Sequence, residues 1–168
     1  MTSKGLPLSA SLVNRRDSLV KKWLDGTVRE YPETTTGFLI QEKDRFRNPI
    51  GYTLKESLSV LFDGLVQTKG TASLASVLDA IVRMRAVQDF SAGQAVSFLF
   101  LLKKILREEC AVERSRCPEE FEDLEARIDE LTLLAFDLYV KCREQMFEIK
   151  YNEAKRSMFL MDRTRPTN

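Results

Sequence analysis

The sequence has no histidine. Histidine is the commonest metal ligand and the one ordinary side chain that titrates near neutral pH. Its absence excludes a His-ligated haem, a histidine-bearing zinc hydrolase and any triad with an imidazole base. Cysteine is scarce as well: Cys110, Cys117 and Cys142 are odd in number and form no CxxC pair, which fits neither a zinc knuckle nor a disulfide framework. Only 7 glycines and 5 prolines punctuate 168 residues, so the elements must be long. The longest charge-free run, the 13 residues 90–102, is short of the roughly 20 that a membrane span requires. The N-terminus passes from Ser3-Lys4-Gly5 to Asn14-Arg15-Arg16 with no long apolar signal core. Charge is balanced, 26 Lys and Arg against 25 Asp and Glu, without the basic excess on which nucleic-acid binding rests. The expectation is a soluble, cytoplasmic protein with no membrane span, no metal, no haem or other cofactor and no nucleic-acid partner.

What is present favours helix. Leucine occurs 22 times against 17 for valine and isoleucine together, and 43% of residues are hydrophobic, enough to bury the core of one domain over residues 1–168. A first helix is expected over about residues 9–31, with Leu12, Leu19, Val20, Trp23, Leu24, Val28 and Tyr31 inward and Pro32 ending it. A long connection follows to about Tyr52, pinned to the core by Phe38-Leu39-Ile40 and Phe46, with Asn48-Pro49-Ile50-Gly51 as a turn. Thr53 and Glu56 have capping-box spacing before a second helix, which Gly70 closes. A third spans about residues 71–88. Ser91 and Gln94 repeat the capping-box spacing ahead of a fourth helix that is apolar nearly all round, through Val96 and Phe98 to Leu102.

Pro118 opens the last helix, where its missing N–H costs nothing, and the acids from Glu119 to Glu130 suit the helix dipole and a solvated face. Phe121, Leu124, Ile128, Leu131, Ala135, Leu138, Cys142, Gln145 and Ile149 then alternate in steps of three and four. Helical to Met161, this segment would reach about 65 Å, longer than a compact domain of this size is wide. It must overhang, bend or pair with another chain. The expectation is a homodimer with Leu131, Leu138, Cys142, Gln145, Ile149, Met158 and Phe159 in the interface. Residues 150–168 would form a basic helix tip and tail carrying Lys150, Lys155, Arg156, Arg163 and Arg165.

Catalytic signatures are missing: there is no Walker loop, GxGxxG, GxSxG or HExxH. The expected protein is therefore not an enzyme. Cys110 and Cys117 flank a polar helix end, where a redox role is conceivable, but neither has a partner at motif spacing. Arg85 stands apart, because it continues the inward stripe of Leu74, Leu78, Ile81 and Val82. An inward arginine needs a carboxylate or an anion, for which Asp137 is the candidate; the alternative is an arginine near its helix C-terminus that lays its stem on the core and keeps its head in water. The alternative function is a small-molecule or anion-binding domain, enzymatic or not, with a pocket near Arg45, Arg85 and Asp137 and with Gln88 at the exit of the same helix.

Three segments carry a family likeness. They are Asp44-Arg45-Phe46-Arg47-Asn48-Pro49-Ile50-Gly51; Ile81-Val82-Arg83-Met84-Arg85-Ala86-Val87-Gln88-Asp89-Phe90-Ser91-Ala92-Gly93-Gln94-Ala95; and Ala135-Phe136-Asp137-Leu138-Tyr139 with Arg143-Glu144 and Asn152-Glu153. Over about residues 10–157 the chain resembles the N-terminal domain of RsbRD-type proteins, RsbT co-antagonists of the bacterial stressosome. The resemblance implies an all-α, globin-like sensory domain without haem, dimeric, and in contact with another signalling protein. An up-down four-helix bundle is the alternative architecture. In the full co-antagonists a phosphorylatable STAS domain follows; this sequence stops at Asn168. What the resemblance carries to it is sensing and dimerisation, not phosphorylation or binding of RsbT.

Overall fold

The computed structural model describes residues 6–42 and 44–163. The first five residues, the tail 164–168 with Arg165, and the side chains of residues 34 and 160–163, Arg163 among them, lie outside the described residues. The described chain is all-α: α1 (Leu8–Asn14), α2 (Arg16–Val28), α3 (Glu33–Gln41), α4 (Pro49–Val66), α5 (Thr71–Val87), α6 (Ala92–Glu109), α7 (Ala111–Arg116) and α8 (Pro118–Arg163). Five long helices, not four, enclose the core. α2 packs on α4, α4 on α5, α5 on α8, α8 on α6 and α6 back on α2, which closes a ring. Trp23, Leu58, Leu78, Phe98, Leu99 and Ile128 fill it, and the Trp23 indole N–H donates to the Phe98 carbonyl at 2.6 Å.

The expected first helix is two. Arg15 breaks it with backbone angles outside the helical basin, and its guanidinium turns to the end of α6. There it donates to the Glu109 carbonyl and meets the Glu109 carboxylate at 3.2 Å. Terminal carbonyls and the negative end of the α6 dipole draw a cation to this place. The next residue, Arg16, grips Asp63 of α4 with two bonds, 2.6 and 2.7 Å. The guanidinium holds the Asp63 carboxyl below the usual carboxylate range. This tie between α2 and α4 is therefore present at neutral pH and lost as acid protonates Asp63.

The expected long connection carries α3, and only Leu39 of its apolar trio is buried; Phe38 and Ile40 are exposed, and Phe46 is 93% exposed. A short helix that touches the body along one edge offers one inward position per turn, and Leu39 takes it. The helix after it starts at Pro49, four residues before the expected Thr53 cap. Asn48 supplies the reason. Its side-chain oxygen accepts from the Gly51 N–H at 2.8 Å, while its amide donates to the carbonyls of Leu39 (3.0 Å) and Glu42 (2.8 Å). One buried side chain thus caps α4 and ties off the end of α3. Gly51 is required beside it, since a Cβ there would sit 2.7 Å from the Leu39 carbonyl oxygen.

The later helices follow the sequence closely. Ser91 and Gln94 form both bonds of the capping box at the start of α6, and Pro118 stands in the first turn of α8. Phe100 departs from the all-buried reading of α6; it points out and is more than half exposed. Among the acids read as a solvated face, Glu125 and Asp129 are tied to α6, by Arg107 (2.5 Å) and Lys103 (2.8 Å). α8 runs unbroken for 46 residues, about 69 Å. Its last deeply buried residue is Cys142, and from Phe147 to Phe159 every side chain is exposed. The overhang from 147 to 163 is about 25 Å of helix, and its described side chains are exposed.

The double duty of Asn48 sets a test. Asn48→Ala removes a cap, worth about 1 kcal/mol, and strands two buried carbonyls, so the loss in urea denaturation should reach about 2–3 kcal/mol. Ser91→Ala, an exposed cap alone, should cost about 1 kcal/mol.

Candidate functional site

Arg85 is wholly buried, near the end of α5. Its Nη1 donates to the Gln94 carbonyl at 2.7 Å and lies 2.8 Å from the Glu30 carboxylate. Its Nη2 faces the Thr27 carbonyl in the last turn of α2 at 3.4 Å. Three rings surround the guanidinium: Phe90 at 5.1 Å, Phe98 at 5.2 Å and Tyr31 at 5.7 Å to their centroids. The Ser97 hydroxyl donates to the Glu30 carboxylate at 2.6 Å, closing the shell from the α6 side. A buried cation survives only when it is paired and hydrogen-bonded. Here the end of α2, the end of α5 and the start of α6 converge to supply carboxylate, carbonyls and π faces.

Asp137 is not the partner. It lies on the exposed face of α8, while Glu30 meets Arg85 from beyond the end of α2. Arg45 is also exposed, its guanidinium 5.2 Å over the Tyr52 ring. Gln88 is the C-cap of α5, next to Arg85. Thus Arg85 and Gln88 share a neighbourhood, and the expected pocket joining Arg45, Arg85 and Asp137 is not assembled. A groove of about 440 Å³ does exist elsewhere, between α1 and the start of α8, floored by Leu8, Leu12 and Leu124 and rimmed by Glu120 and Arg127.

Sequence reasoning missed Thr27 and Glu30, and it placed Tyr31 inward and Gln94 in a capping box without joining either to Arg85; these four complete the Arg85 site. Buried polar atoms there without a hydrogen bond among the described residues are Thr27 Oγ1, Arg85 Nε and Gln88 Oε1, while the Tyr31 phenol interacts with the Arg85 guanidinium. Burial pushes the Tyr31 phenol up, with Arg85 opposing the shift. The phenol therefore stays a neutral donor and acceptor across the physiological range.

The expected interface residues divide. Leu131 and Cys142 are buried in the domain's own core, and Leu138 packs against it. The stripe beginning at Phe121 faces α5 and α6, which already fill that side of α8. Gln145 is exposed and accepts from Arg83 at 3.2 Å. Ile149, Met158 and Phe159 are exposed on the overhang. Cys110 is buried, and burial pushes its thiol up, which suppresses the thiolate that redox chemistry needs. All three cysteines are free thiols.

Among the described residues no group of three or more His, Cys, Asp or Glu side chains could hold a metal ion. Likewise, no described helix is long and apolar enough to cross a membrane. Among the described residues these features define an all-α domain with one deeply buried charge, neutralised from within, and a long last helix. The chain belongs to a known family: residues 17–153 match the RsbT co-antagonist protein rsbRD N-terminal domain. No curated protein and no solved structure matches it.

The pairing of Arg85 can be measured directly. Arg85→Met should destabilise by roughly 3 kcal/mol, the low end for a broken buried pair, because Glu30 keeps partial access to water. Adding Glu30→Leu should recover much of that loss. Adding Asp137→Leu instead should give additive effects in chemical denaturation.

Proposed function

We propose that this chain is a non-enzymatic, cytoplasmic signalling module of the stressosome type, acting by homodimerisation and by contact with another signalling protein. The observation that carries the reading is the family match over residues 17–153, which spans most of the chain. The exposed distal half of α8 adds to it. Tyr151 and Met158 are large apolar side chains left in water. Burying such groups on a second chain is worth about 2 kcal/mol each.

In sedimentation equilibrium at tens of micromolar the intact chain should be a dimer. Truncation after Lys150 should keep the helical circular dichroism and the unfolding midpoint but weaken the dimer. The reading also expects no Soret band and no stoichiometric metal in protein purified without chelators. A dimer-free intact chain, or a bound cofactor, would count against it.

One observation favours a second reading, a binding site for a small polar molecule. It is the group of unpartnered donors and acceptors beside Arg85. Thermal shift against small anions and polar metabolites separates the readings, because only the second expects saturable stabilisation that Arg85→Met abolishes.

A further inference from the structure

α8 carries a second apolar line that the inward stripe conceals. Leu133, Phe136, Val140, Phe147, Tyr151 and Met158 are all exposed, Leu133 and Phe147 at 70% and Met158 at 71%. With Ala154 and a single polar residue, Glu144, they follow one another in steps of three and four. At about 100° per residue all eight fall within an arc of about 80°, on the side of the helix away from Phe121, Leu131 and Cys142. The line runs unbroken from the body into the overhang. An isolated helix as short as the overhang is marginal in water without a surface to pack on.

We propose that this outer line is where a second copy of the chain docks, with the two α8 helices antiparallel. This orientation deepens the dimer reading above and rests on it. The line reads nearly the same in both directions. A pairing that sets Leu133 opposite Met158 of the second copy also sets Val140 opposite Tyr151 and Glu144 opposite Phe147, and brings Phe136 within one residue of the level of Ala154. A two-fold axis across the helices demands that self-complementarity.

Charge selects the same direction. Asp137 and Lys155 lie on one flank of the line, as do Lys141 and Glu148. All four are exposed, and none has an ion pair among the described residues. In the antiparallel register Asp137 comes within one residue of the level of Lys155 of the second copy, and Glu148 within two residues of Lys141, on the same flank and each twice by symmetry. The like-charged neighbours in this register are Arg143 and Lys150, and Arg143 is already drawn aside by Asp89 (3.5 Å) and the Ala86 carbonyl (3.3 Å). A parallel pair would bring Lys150 to Lys155 and stack the acidic first turns of the two helices. The antiparallel pair instead lays residues 148–158 of each α8 along residues 133–143 of the other.

Cross-linking decides the orientation. Leu133→Cys and Met158→Cys, each made with Cys117→Ser, are purified separately, mixed and oxidised. The expected product is the 133–158 disulfide, formed only in the mixture. In a second arm, Asp137→Lys or Lys155→Asp alone should raise the dimer dissociation constant about ten-fold at low salt, and the double exchange should restore it to within about two-fold. Leu133, Asp137, Lys155 and Met158 are exposed and Cys117 is half-buried, where serine is nearly isosteric, so the fold tolerates the changes. A dimer that forms 133–133 and 158–158 disulfides, or no cross-link at all, overturns the antiparallel docking while leaving the dimer. A monomer in sedimentation removes both.

Discussion

A guanidinium cannot be left in an apolar interior unless the chain brings it a counter-charge and acceptors, and the fold is arranged around that requirement at Arg85. Its partners come from three places distant in sequence: Thr27 in the last turn of α2 with Glu30 just beyond it, Gln94 and Ser97 in the first turns of α6, and the aromatic rings of Tyr31, Phe90 and Phe98. Satisfying one cation therefore fixes where α2 ends, where α5 ends and where α6 begins. With those ends joined, α5 and α6 present the surface on which the first half of α8 lies. Most of the ionic ties outside this centre link exposed or half-exposed side chains, where the net contribution of each is small. The buried pair differs because it sets geometry, whatever its net energy.

How much of this was legible in the sequence depended on how local the determining contact is. The Ser91–Gln94 capping box and Pro118 at the start of α8 act within one helical turn, and both stand where the spacing puts them. The inward direction of Arg85 follows from the periodicity of its own helix. Its partner does not, because Glu30 lies beyond the end of another helix and nothing in its neighbours marks it. Arg15 shows the same limit. Its periodicity is compatible with a continuous helix, and the break exists because the carbonyl end of α6 arrives beside it. Asn48 was within reach: an asparagine followed by proline is a strong helix start, but the turn signature of the same residues competed with it.

The last helix shows why a heptad pattern alone does not identify an interface. The steps of three and four from Phe121 to Cys142 are as regular as those of a coiled coil, yet they serve the domain's own core. Periodicity states that a face is apolar, not which surface covers it. The face that is left in water, from Leu133 to Met158, is interrupted by Glu144 and flanked by charge, and it becomes visible only once the buried face has been assigned. The family match accounts for the domain as a whole and agrees with the likeness borne by its Arg85 and Asp137 segments. The individual roles of those two residues came from the geometry: one is a structural cation and the other a surface charge.

The rigidity of α8 has a mechanical consequence. No glycine or proline interrupts it after Pro118, so its buried half and its projecting half move as one rod. Any repacking of α5 or α6 that tilts the buried half by about 5° swings the far end, about 25 Å beyond the body, through about 2 Å. The helix is a lever whose fulcrum is the domain core, and small changes inside the ring are delivered, magnified, at its tip.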